Sequence, residues 1–527
     1  MHGLPLIALL VGSLAVTALA RRIGASPPLV LVVVGLAVSF VPGVPDYAID
    51  PDLVLLLILP PLLYSAALDS SYLRFRDNLR PIGLLAVGLV LFTTAAVGLA
   101  AWWLVPGLPL ASALVLGAVV SPPDAVAATA VGRRLGLPRR VMTILAGESL
   151  LNDATALTAF RVAVAVAVGA SYTVWQGIGV FVLIALGGAV VGWAVGAVMH
   201  RIRLLLRDGV LESAVGLLVP FGTFLLAEEA LHVSGVTAVV VAGLYLGHRA
   251  PQAGPAQRLQ EEAVWKAADT VLESLVFALI GLQLRAVVEG VDSPLLPLLL
   301  DGVLLVLVVV LARIVWVFPT TYVPRWLFRR LRERDPSPRW QVPAVISWAG
   351  MRGVVTLAAA FAIPLVTNTG APFPGREEII LLAFVVTVGT LLLHGLTLPT
   401  VIRRLDVRGH EDFADALAEA QAQTAAAQAA AARLAELDDG NPLTRHAVAK
   451  LRYMAESRSN AAWERLGPVE EVDRTPSVAF RRLRMQMLAA EREVFVRYRD
   501  ERRIDDEVFR RVQRELDLED SMLRRDT

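Results

Sequence analysis

Gly147-Glu-Ser-Leu-Leu-Asn-Asp-Ala-Thr-Ala-Leu-Thr-Ala-Phe160 is the stretch whose reading decides the fold. It lies within a long apolar segment, 141–168, yet carries Glu148, Ser149, Asn152, Asp153, Thr155 and Thr158. Asp153 falls near the middle of that segment, about as far from water as a bilayer-spanning helix permits. A carboxylate there costs at least roughly 2.5–3.5 kcal/mol to insert, so by default it marks an ion or proton pathway. At helical spacing Glu148 lies over Asn152, and Ser149 over Asp153, each pair one turn apart. A polar knot joining helices in lipid would account for the Asn and the Ser. It does not require a mid-depth acid with a second acid close by.

Around this stretch, 56% of the 527 residues are hydrophobic and only 18% are charged. Repeated apolar runs of roughly 20 residues make the chain an all-α polytopic membrane protein. The net charge of +1 gives no reason to expect a nucleic-acid partner, and the absence of cysteine excludes disulfides and thiolate metal sites. The first apolar segment, 4–20, ends in Thr-Ala-Leu-Ala like a signal peptide. However, Arg21 and Arg22 follow it and no basic side chain other than His2 precedes it. That order predicts a retained helix.

Hydropathy predicts about 13 spans, at 4–20, 28–42, 53–68, 81–104, 110–131, 140–168, 175–199, 211–228, 235–248, 264–284, 295–318, 342–366 and 379–402. One set of connecting loops is basic, with Arg74, Arg133, Arg139, Arg201, Arg207 and the 325–339 run among its residues. The other set carries Asp46, Asp50, Asp52, Glu229, Glu289, Asp292 and Glu377. The positive-inside rule then puts the N-terminus outside and the C-terminus in the cytoplasm of a cell (inner) membrane, in agreement with an odd span count.

Two spans are broken. The fifth contains Ser121-Pro122-Pro123-Asp124, where consecutive prolines cannot continue a helical ladder. The twelfth contains Gly350-Met351-Arg352-Gly353. Each is the middle of a triplet, and loop charge starts the two triplets on opposite faces. Inverted repeats with discontinuous helices point to a transporter site where freed carbonyls coordinate cations. Arg352 needs a partner at that depth, and Glu148 is the expected one. Glu273 and Asp269, four residues apart in the tenth span, read equally well as entrance acids or as a polar interface. Arg161, two turns beyond Asp153, has a pairing expected near the outer end of its helix. From 405 to 527 the Ala/Glu/Gln-rich and mixed-charge composition predicts a cytoplasmic helical tail. It carries no phosphate loop of the GxxxxGK[ST] type.

Read together, Ser121-Pro-Pro-Asp-Ala-Val-Ala-Ala-Thr-Ala130, Gly147-Glu-Ser-Leu-Leu-Asn-Asp-Ala-Thr-Ala156 and Gly350-Met-Arg-Gly-Val-Val-Thr-Leu-Ala358 resemble the signatures of the sodium/proton exchangers. The likeness is to bacterial members of the monovalent cation:proton antiporter-1 family and covers nearly all of 1–404. It implies a moving core of crossed discontinuous helices, about 81–168 and 295–402. A dimer-forming scaffold of about 4–68 and 211–284 and a linker helix at about 175–199 complete the exchanger domain. It also implies a transported ion held by Asp153, Asp124, Ser149 and the Pro123 carbonyl. Asn152, Ser121 and a Glu148–Arg352 pair would support the site. Several relatives carry an acid four residues after Leu-Pro-Pro in the third span. Here Leu59-Pro60-Pro61 leads to Ser65, with Asp69 one turn later.

The expected function is antiport of Na+, with Li+ as a second candidate, for H+, and the lipid bilayer and a homodimer partner are implied. Relatives with Asn before the aspartate are generally electroneutral, which predicts one Na+ per H+. No cofactor is implied. K+/H+ exchange on the same scaffold is the alternative, kept open by Ser65. A channel is disfavoured because no carbonyl filter repeat is visible. An enzyme is disfavoured because neither GxSxG nor HExxH occurs.

Overall fold

The computed structural model describes residues 3–42, 54–124, 126–170, 174–206, 209–252, 254–291, 293–409, 411–438, 441–467 and 475–524. The loop acids Asp46, Asp50, Asp52 and Asp292, and Arg207, lie outside them. Two compact units divide the chain, 1–408 and 409–527. No strand occurs among the described residues; one isolated antiparallel bridge joins Val366 to Pro372.

In the first unit, helical segments fall on every stretch that hydropathy singled out. They begin with α1 (Gly3–Arg22), α2 (Pro27–Ser39), α3 (Leu59–Asp69, after a π-turn) and α4 (Val90–Leu104). The fifth stretch is two half-helices, α5 (Leu110–Val120) and α6 (Val126–Arg134). Next come α7 (Arg139–Ala167), α8 (Val174–Leu205), α9 (Gly209–Leu225), α10 (Gly235–Arg249), α11 (Pro255–Leu282) and α12 (Leu295–Leu327). The twelfth stretch is again halved, into α13 (Gln341–Trp348) and α14 (Val354–Phe361), before α15 (Arg376–Leu405). Among the described residues, eight helical stretches are long and apolar enough to cross a membrane, and three shorter apolar ones accompany them. The chain is a multi-pass membrane protein.

Without a hydrophobic force between helices in lipid, close backbone approach has to supply the packing, and small residues permit it. A Cβ at Gly35 in α2 would lie 2.8 Å from the Ala278 carbonyl oxygen. A Cβ at Gly281 in α11 would lie 2.5 Å from that of Val32. Only glycine at both positions lets α2 and α11 cross this tightly. One large buried cluster runs through α4, α5, α7, α12 and α15, and a second gathers around Tyr64, Phe75 and Val239. Large apolar side chains such as Trp175, Leu183 and Trp193 stay exposed along α8, on a lipid-directed face.

The second unit consists of α16 (Glu411–Leu437), α17 (Pro442–Glu464), α18 (Pro476–Asp500) and α19 (Asp506–Arg524). Trp463 Nε1 donates to Thr424 Oγ1 across α16 and α17 at 2.9 Å. Arg484 forks onto both carboxylate oxygens of Glu519 at 2.6 and 2.8 Å, joining α18 to α19.

At the basic end of the first unit Asp335 is a clamp. It takes Arg140, at the start of α7, at 2.8 Å and Arg325, at the end of α12, at 2.6 Å. Partial burial pushes its pKa up, but the Arg140 hydrogen bond and the two guanidinium charges outweigh this and hold it below the usual carboxylate range. A depressed folded-state pKa contributes stability above the unfolded value of about 3.9, and that stability is lost as pH falls through the folded value. Asp335→Asn is expected to lower the melting temperature in detergent at neutral pH. Thermal scans across pH should show the gap from wild type closing below about pH 4.

Candidate ion-binding site

The two broken spans meet at their breaks. Asp124 N–H donates to the Met351 carbonyl at 2.6 Å, and Asp124 Oδ1 accepts from Val126 N–H at 2.8 Å, capping α6. Gly353 opens α14 against that carboxylate: a Cβ there would come within 2.1 Å of Asp124 Oδ2. The N-terminal ends of α6 and α14, each carrying partial positive charge, thus converge on an acid.

The C-terminal ends of α5 and α13 converge on a base. Arg352 Nε donates to the Val120 carbonyl at 2.9 Å and Nη2 to that of Ser121 at 3.2 Å, while Nη1 reaches Gly350. These carbonyls belong to helices that stop in the middle of the protein, so they have no next turn to donate to them. Arg352 is 1% exposed. Its planar fork supplies donors and cancels the dipole ends together.

The expected Glu148–Arg352 pair is therefore not formed. Glu148 pairs instead with Arg313 of α12, whose Nη1 and Nη2 reach Oε1 and Oε2 at 2.5 and 2.8 Å. Arg313 Nε also donates to the Ile346 carbonyl of α13 at 3.0 Å. Arg352 spends its donors on backbone at the breaks, whereas Arg313 approaches the carboxylate edge-on as a bidentate partner. The sequence reading missed Arg313. Its signal was a single arginine inside the apolar run of the eleventh span, as costly at that depth as Asp153.

The polar residues of α7 fall on two adjacent stripes. Glu148 and Asn152 turn into the protein, at 2% and 0% exposure. Asn152 Nδ2 donates to the Pro123 carbonyl at 2.5 Å. That occupies one of the carbonyl's two lone pairs and fixes the break against α7. Ser149 and Asp153 instead line a cavity of about 510 Å³ that also reaches Asp124. Among the described residues no side chain donates to the Asp153 carboxylate and none pairs with it. Ser121 is fully buried and its hydroxyl donates to the Ala118 carbonyl at 2.9 Å, so it supports the end of α5.

The cavity extends from these acids to Arg74, Arg133 and Arg139 at the basic face. Between them its wall also carries the carboxylates Asp69, Asp269 and Glu273. Ser65 donates to Asp269 Oδ1 at 2.7 Å. The acid facing the serine thus comes from α11, across the cavity. At the opposite end of α7, Arg161 pairs with Glu228, whose second oxygen accepts from Gly235 N–H at 3.1 Å. The pairing expected for Arg161 is found there.

Two half-helix pairs crossing between a buried acid and a buried base have the build of a secondary cation transporter. Comparison with known proteins gives the family. The family model described as "sodium/hydrogen exchanger, transmembrane" matches residues 6–404, and the chain belongs to that family. An uncharacterised Na+/H+ exchanger of Mycobacterium bovis is 37% identical over 530 residues, 99% of this chain and 96% of the relative. A sodium, potassium, lithium and rubidium/H+ antiporter of Bacillus subtilis is 33% identical over 71% of this chain and 57% of its own. Among solved structures, a sodium/proton antiporter of Methanocaldococcus jannaschii superposes with a TM-score of 0.61. That match covers 76% of this chain and 98% of the other at 19% identity, and shows the fold.

The Glu148–Arg313 pair makes a direct prediction. Removing one partner strands a buried charge, at about 3–5 kcal/mol. Glu148→Ala and Arg313→Ala should each lower thermal stability strongly, and the double variant should lose far less than the sum. Pairing Glu148→Ala with Arg352→Ala should show a weaker coupling than the Glu148–Arg313 pair, because Glu148 and Arg352 interact only through charge and share no direct ion pair.

Proposed function

We propose that the protein exchanges Na+ for H+ across the cell membrane by alternating access, with Asp153 as the shared carrier. The observation that carries this reading is the Asp153 carboxylate, partnerless among the described residues, in a cavity it shares with Asp124 and Ser149. A bare carboxylate is expensive in such surroundings, so either a cation or a proton neutralises it, and the two compete. Asp124 adds a second charge, Ser149 a hydroxyl, and Pro123 its remaining carbonyl lone pair to the ion's shell. Asn152 cannot titrate, which supports one Na+ per H+ with no net charge moved.

The basic loops lie in the cytoplasm, which with about 13 spans gives an outside N-terminus and a cytoplasmic C-terminus. The cavity, ending among basic loops, then opens inward, and Arg161–Glu228 lies on the closed outer side. Residues 81–168 and 295–402 form the core that moves. Those at 4–68 and 211–284 form the scaffold that pairs with a second copy, linked to the core by 175–199. The tail, 405–527, adjusts activity without carrying ions. K+/H+ exchange is the second reading, favoured by a serine rather than an acid at position 65.

Proteoliposome exchange read with a pH dye tests the proposal. Asp153→Asn should abolish Na+-driven proton movement in a folded protein, and Asp124→Asn should reduce it severely. Because one carboxylate serves both ions, apparent Na+ affinity should weaken about tenfold per pH unit below the half-titration point of Asp153. Exchange that persists in Asp153→Asn would sink the shared-carrier mechanism.

Electroneutrality has its own check. A potential of 100 mV is worth about 2.3 kcal/mol per charge moved. Imposing it with a K+ gradient and ionophore should leave the rate and direction of one-for-one exchange unchanged. A potential-driven pH change requiring Na+ would show unequal stoichiometry.

A further inference from the structure

We propose that Thr356 is a further ligand of the transported ion, contributed by the second broken helix, and that its hydroxyl helps set which monovalent cation the site prefers. This rests on the antiport reading and deepens it. Thr356 is 1% exposed, and its Oγ1 has no hydrogen-bond partner among the described residues. It lines the cavity that holds Asp124, Ser149 and Asp153.

A buried orphan hydroxyl is unfavourable, and a threonine on a helix usually escapes by donating to the carbonyl four residues back. Thr387 and Thr158 do so here, each at 2.7 Å, to Ala383 and Ala154. Thr356 sits on the first turn of α14, so four residues back lies Arg352, within the break itself. Its hydroxyl is left buried without a partner among the described residues, on a residue that lines the cavity. Thr93 and Thr223 are also buried without partners, but they do not line this cavity. What singles out Thr356 is an orphan oxygen on a residue that lines the same cavity as the acids.

The position is fixed from both sides. Gly353, three residues earlier, lies directly against the Asp124 carboxylate. The first turn of α14 therefore starts at the acid rather than merely near it. The other proposed donors, Asp124, Pro123, Ser149 and Asp153, come from the fifth and sixth spans. Thr356 is the oxygen through which the second broken helix would sense the ion. A neutral hydroxyl adds a hard oxygen donor without adding charge, so it alters the fit to ion size while leaving the proton count unchanged.

The full-length protein tests this in two ways: proteoliposome exchange with Na+, Li+ and K+ pulses, and cation-dependent thermal stabilisation in detergent. Thr356→Val removes the oxygen at nearly constant shape, and Thr356→Ser keeps it. Thr356→Val should raise the Na+ concentration for half-maximal exchange, and for half-maximal stabilisation, by about tenfold. It should also change the order of preference among the three ions. Thr356→Ser should stay within about twofold of wild type. A Val variant with wild-type affinity and ion order overturns the proposal. So does a Ser variant as impaired as Val, which would mark a packing role. Should the Val variant not fold, Thr356→Ala compared with Thr356→Ser decides by the same criteria. Asp153→Asn is measured alongside: loss of exchange there with an unchanged Thr356→Val refutes only the ligand role of Thr356. Persistence of exchange in Asp153→Asn refutes the antiport reading itself.

Discussion

A helix that stops inside a membrane leaves carbonyls with no donors and no water, and the arrangement of this protein follows from how that is solved. Two helices stop here, at Val120 and at Trp348. Arg352 donates to backbone at both breaks, to Val120 and Ser121 in one span and to Gly350 in its own. Asp124 does the complementary work at the N-terminal halves, accepting from Val126 N–H with Gly353 pressed against it. The crossing is thus neutralised and hydrogen-bonded by side chains of its own. The acids beside it remain available because the arginine is committed to backbone.

That commitment explains the rest of the charge arrangement. With Arg352 occupied, Glu148 needs another cation, and Arg313 supplies it through a bidentate contact buried to 1–2% exposure at both ends. The same guanidinium reaches Ile346, so the pair anchors α7 to α12 and α13 at once. Buried ion pairs add little net stability compared with apolar packing. What this one does is fix the rotation of α7. With Glu148 held inward, Ser149 and Asp153, one position round the helix, face the cavity.

The sequence disclosed the parts of this design that are set by composition and local chemistry. Asp153 stood out as an acid at mid-depth, Pro122-Pro123 as a forced break, and Gly350 to Gly353 as flexible backbone around a charge. Fold class, helix positions and the residues gathered at the site follow from those local facts. Partner choice did not. Whether Glu148 meets Arg352 or Arg313 depends on how α7, α12 and α13 are rotated, and apolar helices of nearly uniform composition carry little record of rotation. Ser65 shows the same gap. The acid nearest to it in sequence is Asp69, one turn later, but the side chain it meets is Asp269, 204 residues away.

Asn152 has a consequence for how such a protein can change over evolutionary time. Its amide donates to the Pro123 carbonyl, holding the broken span against α7. A carboxyl group at that position could make the same bond only while it carries a hydrogen. The fold would therefore demand a bound proton there simply to keep the break in place. A single-codon change from Asn to Asp would then install a second titrating group whose occupancy is tied to the geometry of the crossing. Under the one-for-one exchange proposed above, charge stoichiometry would hang on one structural hydrogen bond, and a lineage could alter its coupling without rebuilding the site.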